Sequence, residues 1–401
     1  MFIVSDKQTS ERRKTKVLIV GAGPAGLGVA TALKQAGVDE MVIIEAREIG
    51  ASFLNWPRQM SFITPSFHSN SFGLTDLNAI DPDTSPADYL RTQHPRGEQY
   101  AKYLRAVVTH HELPVMTGVR VTNLIKQDGQ FLASTNLGDY QAEMVVWAAG
   151  QFFSPRDQAF SGAELALHSS KIVDWTELEG EKFTIIGGYE SGVDAALNLV
   201  DLGKSVSLHS RGEPWSSDDP DPSRSLSPRT FDRLREVIQS GEKMKNLQLF
   251  KNSDICRIEE SSGWWTLLDQ DGIPSVSYTR PILANGFYSG LGPVKNLFNH
   301  DENHLPVFSE EADESTLTSG LFYSGPALVH RNSLFCFIYK FRARFGVVAR
   351  EIADRLGKPE FDEKLKSYKK AGFMNNDLEC CTECECAIKP AETAPEPNAF
   401  S

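Results

Sequence analysis

Two glycine-rich turns carry the clearest chemistry in this 401-residue chain. The first, Gly21-Ala22-Gly23-Pro24-Ala25-Gly26, has the spacing G-x-G-x-x-G and follows a short apolar run at 16–20. A helical pattern over 27–35 and a second apolar run at 41–45 come next. In such a strand–helix–strand unit each glycine has a task. Gly21 permits the tight turn, Gly23 lets backbone approach a pyrophosphate, and Gly26 lets helix and strand pack closely. The helix opening at Pro24 and Ala25 offers free N–H groups to phosphate. Glu45, at the end of the second run, is placed to accept a hydrogen bond from a ribose 2′-hydroxyl. The unit reads as an FAD-type site.

A second turn, Gly187-Gly188-Tyr189-Glu190-Ser191-Gly192, again follows an apolar strand pattern at 183–186 and opens a helix over 191–202. Tyr189 stands where the second glycine belongs, so a side chain crowds any pyrophosphate pressed on the loop. The following strand at 205–209 leads into Ser210 and Arg211 rather than an acid. An arginine there suits the 2′-phosphate of NADPH, whereas a carboxylate would suit NADH. The other reading of Arg211 is a solvated loop side chain. With Gly187, Gly188, Glu190, Ser191 and Gly192 as the cradle, this is an NADPH-type site. Two such units in one chain are explained economically by hydride transfer from nicotinamide to a flavin held between them.

The cysteines are the third feature. Cys380, Cys381, Cys384 and Cys386 crowd into seven residues with Glu379, Glu383 and Glu385 among them. Thiolates at this density suit a thiophilic metal such as Zn²⁺ or Cu(I). Cys381 and Cys384 also have C-x-x-C spacing, so a redox relay and a dispensable tail stand beside metal binding. The interleaved carboxylates raise thiol pKa values and weigh against a highly reactive dithiol. Cys256, near a strand pattern, reads as a packed core thiol.

The elements around these residues predict an interrupted architecture. Residues 1–15 read as a disordered arm; 16–155 and 281–372 form the FAD-binding domain, and 156–280 the NAD(P)H-binding domain. Residues 375–401 form an acidic tail with six acids against Lys389. Short alternating strands lie near 120–146, and a long helix is predicted over 333–356. The irregular stretch 51–95 and the proline-rich loop 213–228 are expected to shape a substrate pocket. With 41 Lys+Arg against 53 Asp+Glu, the net charge of −12 argues against nucleic-acid binding. The longest apolar run, 334–339, is far too short for a membrane span. No signal-peptide pattern or disulfide framework is present, so a reducing cytoplasm is the expected compartment.

The pattern resembles the two-dinucleotide-domain flavoproteins over roughly 16–357. This superfamily includes low-molecular-weight thioredoxin reductases, bacillithiol-disulfide-reductase-like proteins and flavin-containing monooxygenases. Besides the two loops, the resemblance rests on Val145-Val146-Trp147-Ala148-Ala149-Gly150 with Pro155 beyond it, similar to the family's A-T-G hinge. It rests also on Leu321-Phe322-Tyr323-Ser324-Gly325-Pro326, similar to the late FAD strand, whose usual Gly-Asp is here Gly325-Pro326. It implies an α/β fold with two Rossmann-like FAD/NAD(P)-binding domains, the NADPH domain inserted into the FAD domain, and a flexible Cys-rich C-terminal tail. It also places His330, Arg331 and Asn332 at the flavin pocket, or else at a helix cap.

The subgroup stays open. The reactive cysteine of the bacillithiol-disulfide-reductase-like proteins would fall at Ala25, and no C-x-x-C lies between 156 and 280. Phe160-Ser161-Gly162 leading to His168-Ser169-Ser170 and Trp175 echoes the monooxygenase fingerprint with two extra residues. The leading expectation is an FAD-dependent NADPH oxidoreductase that oxygenates a small soft nucleophile in the manner of the monooxygenases. The alternatives are a disulfide or other acceptor reductase using the tail thiols, and a metal-binding protein acting through the tail. A small-molecule substrate is expected, and a homodimer is common among such relatives.

Overall fold

The computed structural model describes residues 12–68, 74–217, 219, 221–331, 333–358 and 366–375. Asn332 and the group Cys380, Cys381, Cys384 and Cys386 lie outside the described residues. β1 (Arg13–Val20) runs parallel to both β2 (Met41–Ile44) and β6 (Tyr140–Trp147), with α1 (Pro24–Gln35) crossing between β1 and β2. Its apolar half, Val17 to Ile19, is fully buried, as a parallel strand covered on both faces must be. The strand begins three residues before its apolar run, so 13–15 belong to β1 rather than to the expected arm, of which 1–11 lie outside the described residues. Arg13, Lys14 and Thr15 pair by backbone with Tyr140, Gln141 and Ala142, and the Arg13 guanidinium donates to the Tyr140 hydroxyl at 2.7 Å.

This first sheet continues through β3 (Val115–Met116) on one side and the antiparallel β4 (Val121–Gln127) and β5 (Gln130–Thr135) on the other. Three helices, α2 (Ala51–Leu54), α3 (Pro86–Leu90) and α4 (Gly97–His110), cover it, α4 burying Tyr100, Tyr103, Leu104 and Val107. The chain then leaves this sheet to build a second. β7 (Leu167–His168), β8 (Lys182–Ile186), β9 (Ser205–His209), β10 (Leu247–Phe250) and β14 (Ile282–Leu283) lie parallel in the order β10-β9-β8-β14-β7. α5 (Glu190–Asp201) and α6 (Pro228–Gln239) pack on it. A separate antiparallel meander is formed by β11 (Ile255–Ser261), β12 (Trp264–Asp269) and β13 (Pro274–Ser277). After the small ladder of β15 (Asn299–His300) and β16 (Pro306–Val307), β17 (Leu321–Tyr323) returns to the first sheet beside β6. The strands of the second sheet thus lie, in sequence, between two strands of the first.

The two lobes repeat one piece of geometry. Gly21 and Gly187 both adopt φ of +112°, a region that L side chains avoid. A Cβ on Gly21 would stand 2.3 Å from the Ala148 carbonyl oxygen, and one on Gly187 2.4 Å from that of Ala284. A Cβ on Gly26 would lie 2.0 Å from the Gly21 oxygen, and one on Gly192 1.7 Å from that of Gly187. In both lobes the first glycine is pressed on the neighbouring strand and the third glycine on the first.

The predicted helix over 333–356 is broken. After the hairpin of β18 (Val329–His330) and β19 (Ser333–Leu334) come α7 (Ile338–Phe341), a 3-10 turn at Arg342–Arg344, and α8 (Phe345–Arg355). Two arginines two residues apart explain the break, because a continuous α-helix would point them about 200° apart. Both are buried here. The Arg342 guanidinium donates to the carbonyls of Asp76 and Ala79. Arg344 donates from Nε to both Asp313 carboxylate oxygens at 3.1 Å, and His330 Nε2 meets the same carboxylate at 2.6 Å.

Two stability predictions follow from these contacts. Gly26→Ala should destabilise by roughly 1–3 kcal/mol, since a backbone oxygen has no freedom to retreat. Gly23→Ala should change stability by about 0.5 kcal/mol or less, since nothing lies within 4 Å of its Cβ position. Urea denaturation of the two variants side by side checks this. Asp313→Ala, which leaves Arg344 buried without its carboxylate, should cost roughly 3–5 kcal/mol in the same assay. A loss below about 1 kcal/mol would place the Asp313 contact among surface-like ion pairs.

Candidate functional site

A cavity of about 560 Å³ opens between the first glycine loop and the start of α5. Gly21, Gly23, Pro24, Ala25, Glu45, Ala149, Gly150, Glu190, Ser191 and Pro326, all singled out in the sequence, line it. Gly26, Gly187, Gly188, Gly192, Arg211 and Gly325 do not. Gly26 and Gly192 act through packing, as above. Gly325, at φ of +143°, turns the chain after β17 so that Pro326 reaches the cavity. Arg211 is exposed just beyond β9.

The first loop fits a dinucleotide on three counts. α1 opens at Gly23 without a side-chain cap, so no side chain competes for its free N–H groups. Gly23 has open space where a side chain would be. The Glu45 carboxylate is fixed at the cavity wall, accepting from the Ala22 amide at 2.9 Å and the Arg47 amide at 2.8 Å. Each of its oxygens retains acceptor capacity for a ribose hydroxyl. Pro326 supplies no carboxylate at the far end, where relatives' Asp would stand.

Aromatic rings form part of the remaining wall, among them Phe53, Trp56, Phe62, Phe152, Phe287 and Phe337. Phe53 stacks on Phe62 at 5.5 Å, and Phe152 on Phe287 at 5.7 Å. The irregular stretch after Gly50 therefore contributes as expected, through residues up to Thr64 and Asn78. The loop 213–228 does not, being absent from the lining. His330 and Arg331 are also displaced from the expected role. His330 is buried against Asp313, and Arg331 pairs with Glu310 at 3.0 Å. Cys336, Phe337, Ile338 and Phe341 take that wall instead. Their one sequence signal was the apolar run at 334–339, whose length excluded a membrane span without suggesting a cavity.

Glu45, Arg47, Arg120, Glu190 and Asp194 bring charge to the lining. Burial pushes the Glu190 carboxyl up, with hydrogen bonds from Thr230 and Ser227 pulling it back. Burial raises Asp194 likewise, against the charge of Arg233. Burial pushes His168 down, keeping the ring neutral. Nε2 then donates to the Gly286 carbonyl at 3.0 Å, and Nδ1 accepts from Ser170. Its neighbours Ser169 and Ser170 line the cavity.

Cys256 corrects another expectation. It is exposed on β11, with Sγ 3.6 Å from the Leu268 carbonyl oxygen, because Ile255 and Ile258 take the packed positions of that strand and Cys256 falls between them. Among the described residues, no group of three or more His, Cys, Asp or Glu side chains is arranged to hold a metal ion. No helix among them is long and apolar enough to cross a membrane.

Comparison with known proteins agrees with this geometry. Residues 18–325 match the family model of the pyridine nucleotide-disulphide oxidoreductases. Bacilliredoxin reductase Bdr of Bacillus subtilis is 25% identical over 346 residues, which is 85% of this chain and 98% of that protein. The solved bacillithiol disulfide reductase of Staphylococcus aureus superposes with a TM-score of 0.70 at 22% identity, over 86% of this chain and 99% of that one. A flavin-containing monooxygenase from Stenotrophomonas maltophilia superposes at 0.66 with 15% identity, over 86% and 99%. With one mixed and one parallel sheet, repeated glycine turns and a shared cavity, the chain belongs to the pyridine nucleotide-disulphide oxidoreductase family.

Proposed function

We propose that this protein is an FAD-dependent oxidoreductase that draws hydride from NADPH and passes electrons to a small-molecule acceptor. The observation that carries the reading is a continuous cavity that runs from the first glycine loop to the N-terminus of α5 in the second lobe. Bound FAD would supply two-electron chemistry between the pyridine nucleotide and the acceptor. Gly23, Ala25 and the start of α1 would hold its pyrophosphate, Glu45 its ribose, and Ala149 and Gly150 the turn beside it. The second lobe, expected to end at 280 but extended through Leu283 by the pairing of β14 with β7 and β8, would hold NADPH at Gly187 to Gly192, with Arg211 facing the 2′-phosphate. The aromatic walls exclude water from the space between.

Two acceptor classes compete. Oxygenation of a soft nucleophile is favoured by the apolar wall, which demands no acid–base pair. Reduction of a disulfide is favoured by Cys336, a thiol inside the cavity, where the earlier expectation looked to the tail. Its Sγ donates to the Ser223 hydroxyl at 3.2 Å, and Lys340 Nζ donates to the same oxygen at 2.6 Å. Burial pushes the thiol up, while Ser223 and Lys340 pull it down. The thiol therefore rests protonated, and Lys340 is the nearby cation that can favour a thiolate when a disulfide enters.

Purified protein should show the absorbance of an oxidised flavin and lose it faster with NADPH than with NADH under anaerobic conditions. Protein that stays colourless after reconstitution with FAD would sink the reading. Glu45→Ala should retain flavin at least ~10-fold less tightly, the loss expected of a charge-assisted hydrogen bond. Cys336→Ser separates the acceptors. A disulfide reductase should lose ~100-fold or more of its turnover with a small disulfide while still being bleached by NADPH. An oxygenase should keep its NADPH-dependent oxygen consumption in that variant.

A further inference from the structure

Residues 213–217 and 221–227, between β9 and α6, contribute side chains and carbonyls that lie on the second glycine loop. A Cβ on Gly188 would stand 2.5 Å from the Ser210 hydroxyl oxygen and 3.1 Å from Trp215 Cζ3, so the indole lies against this glycine. The Tyr189 hydroxyl donates to the Ser225 carbonyl at 2.9 Å. The Ser227 amide and the Thr230 hydroxyl donate to the Glu190 carboxylate. Gly188, Tyr189 and Glu190, the three residues that would meet a pyrophosphate, are therefore all engaged by this one segment and the helix it leads into. The large cavity reaches Glu190, Ser191 and Asp194 but stops short of Gly187, Gly188 and Arg211. A dinucleotide lying from Arg211 across Gly188 would run into Trp215.

The same segment is tied to the other lobe. Lys340, on α7, pairs with Asp221 and donates to the Ser223 hydroxyl, and Cys336 donates to Ser223 as well. The Lys340 and Asp221 side chains are only 20% and 25% exposed, so salt screens this pair less than a surface one. The tie spans from the cavity wall of the first lobe to the covering of the second. Closing the strap and admitting a pyridine nucleotide are mutually exclusive, because both need the face of Gly188.

We propose that residues 213–217 and 221–227 form a strap that occludes the pyridine-nucleotide site, latched between the lobes by Lys340 and Asp221, and that nucleotide binds only when this latch opens. The proposal rests on the reading of the second loop as a nucleotide site. A latch of this kind lowers apparent affinity by the fraction of molecules in the open form. Weakening it should therefore tighten binding, the reverse of what loss of a phosphate-binding lysine would do.

The test uses the full chain loaded with FAD and NADP⁺ as the probe, with affinity measured by titration calorimetry. Lys340→Met and Asp221→Asn should each bind NADP⁺ ~5-fold or more tightly than wild type, and the double variant no more tightly than either single one. Backbone amides of 213–227 should exchange hydrogen faster in both variants, a readout independent of any ligand. Unchanged exchange and unchanged or weaker NADP⁺ binding in both variants would overturn the latch while leaving the nucleotide site intact. Failure of wild type and both variants to bind either NADP⁺ or NAD⁺ would instead overturn the nucleotide reading, and the latch with it. Tight binding by the variants alone would support both.

Discussion

A backbone carbonyl oxygen pressed into the place of a missing side chain governs this molecule. In each lobe the third glycine of the turn sits so close to the first glycine's oxygen that a single methyl group would overlap it. That contact draws the start of the helix down onto the strand end. The helix N-terminus then points across the turn with its amides free, at the carboxyl ends of the parallel strands where α/β sheets open a crevice. The cavity, its acid at Glu45 and the approach of β6 all follow from that placement. The repetition of the contact, including the identical φ at Gly21 and Gly187, makes the two lobes versions of one device.

What joins the lobes is polar and local. The Arg58 amide donates to the Val173 carbonyl at 2.8 Å, Gln59 donates to Asp174 at 2.6 Å, and Arg229 reaches the Ser61 hydroxyl at 3.1 Å. Hydrogen bonds from Thr176 and Gln59 hold the Asp174 carboxyl down at about 2, so it stays ionised at any pH near neutrality. These contacts close one side of the cavity with the stretch after Gly50. α7 closes another through Ile338 and Phe341, while its Lys340 pairs with Asp221 of the strap outside the lining. The active region is thus bounded by seams rather than by the interior of either sheet, which is the arrangement expected where two nucleotide units must face each other.

Much of the fold was legible in the chain because parallel strands buried on both faces read as unbroken apolar runs. The runs at 16–20, 41–45, 183–186 and 205–209 mark strands of the structure, and the glycine spacings mark the turns between them. α4 carries its signal in the chain as well, with Tyr100, Leu104 and Val107 spaced along one buried face. The misreadings share a physical cause. Arg13 to Thr15 join β1 through backbone pairing, which a polar sequence does not advertise. The helix through 342–344 breaks because two arginines are satisfied by carbonyls and a carboxylate more than 30 positions away. Cys256 is exposed because Ile255 and Ile258 supply the buried positions of its strand and the cysteine lies between them.

The candidate site divides in the same way. The sequence by itself determined the two glycine turns, Glu45 and the order of the strand–helix–strand units, since each depends on backbone geometry within about 30 residues. Only the tertiary structure decided that Cys336 and Phe337, rather than His330 and Arg331, face the cavity. It alone showed that the loop after Arg211 covers the second turn instead of lining the first. Those outcomes depend on which side chains meet across lobes, and packing between distant segments leaves no periodicity or spacing in the chain that forms it.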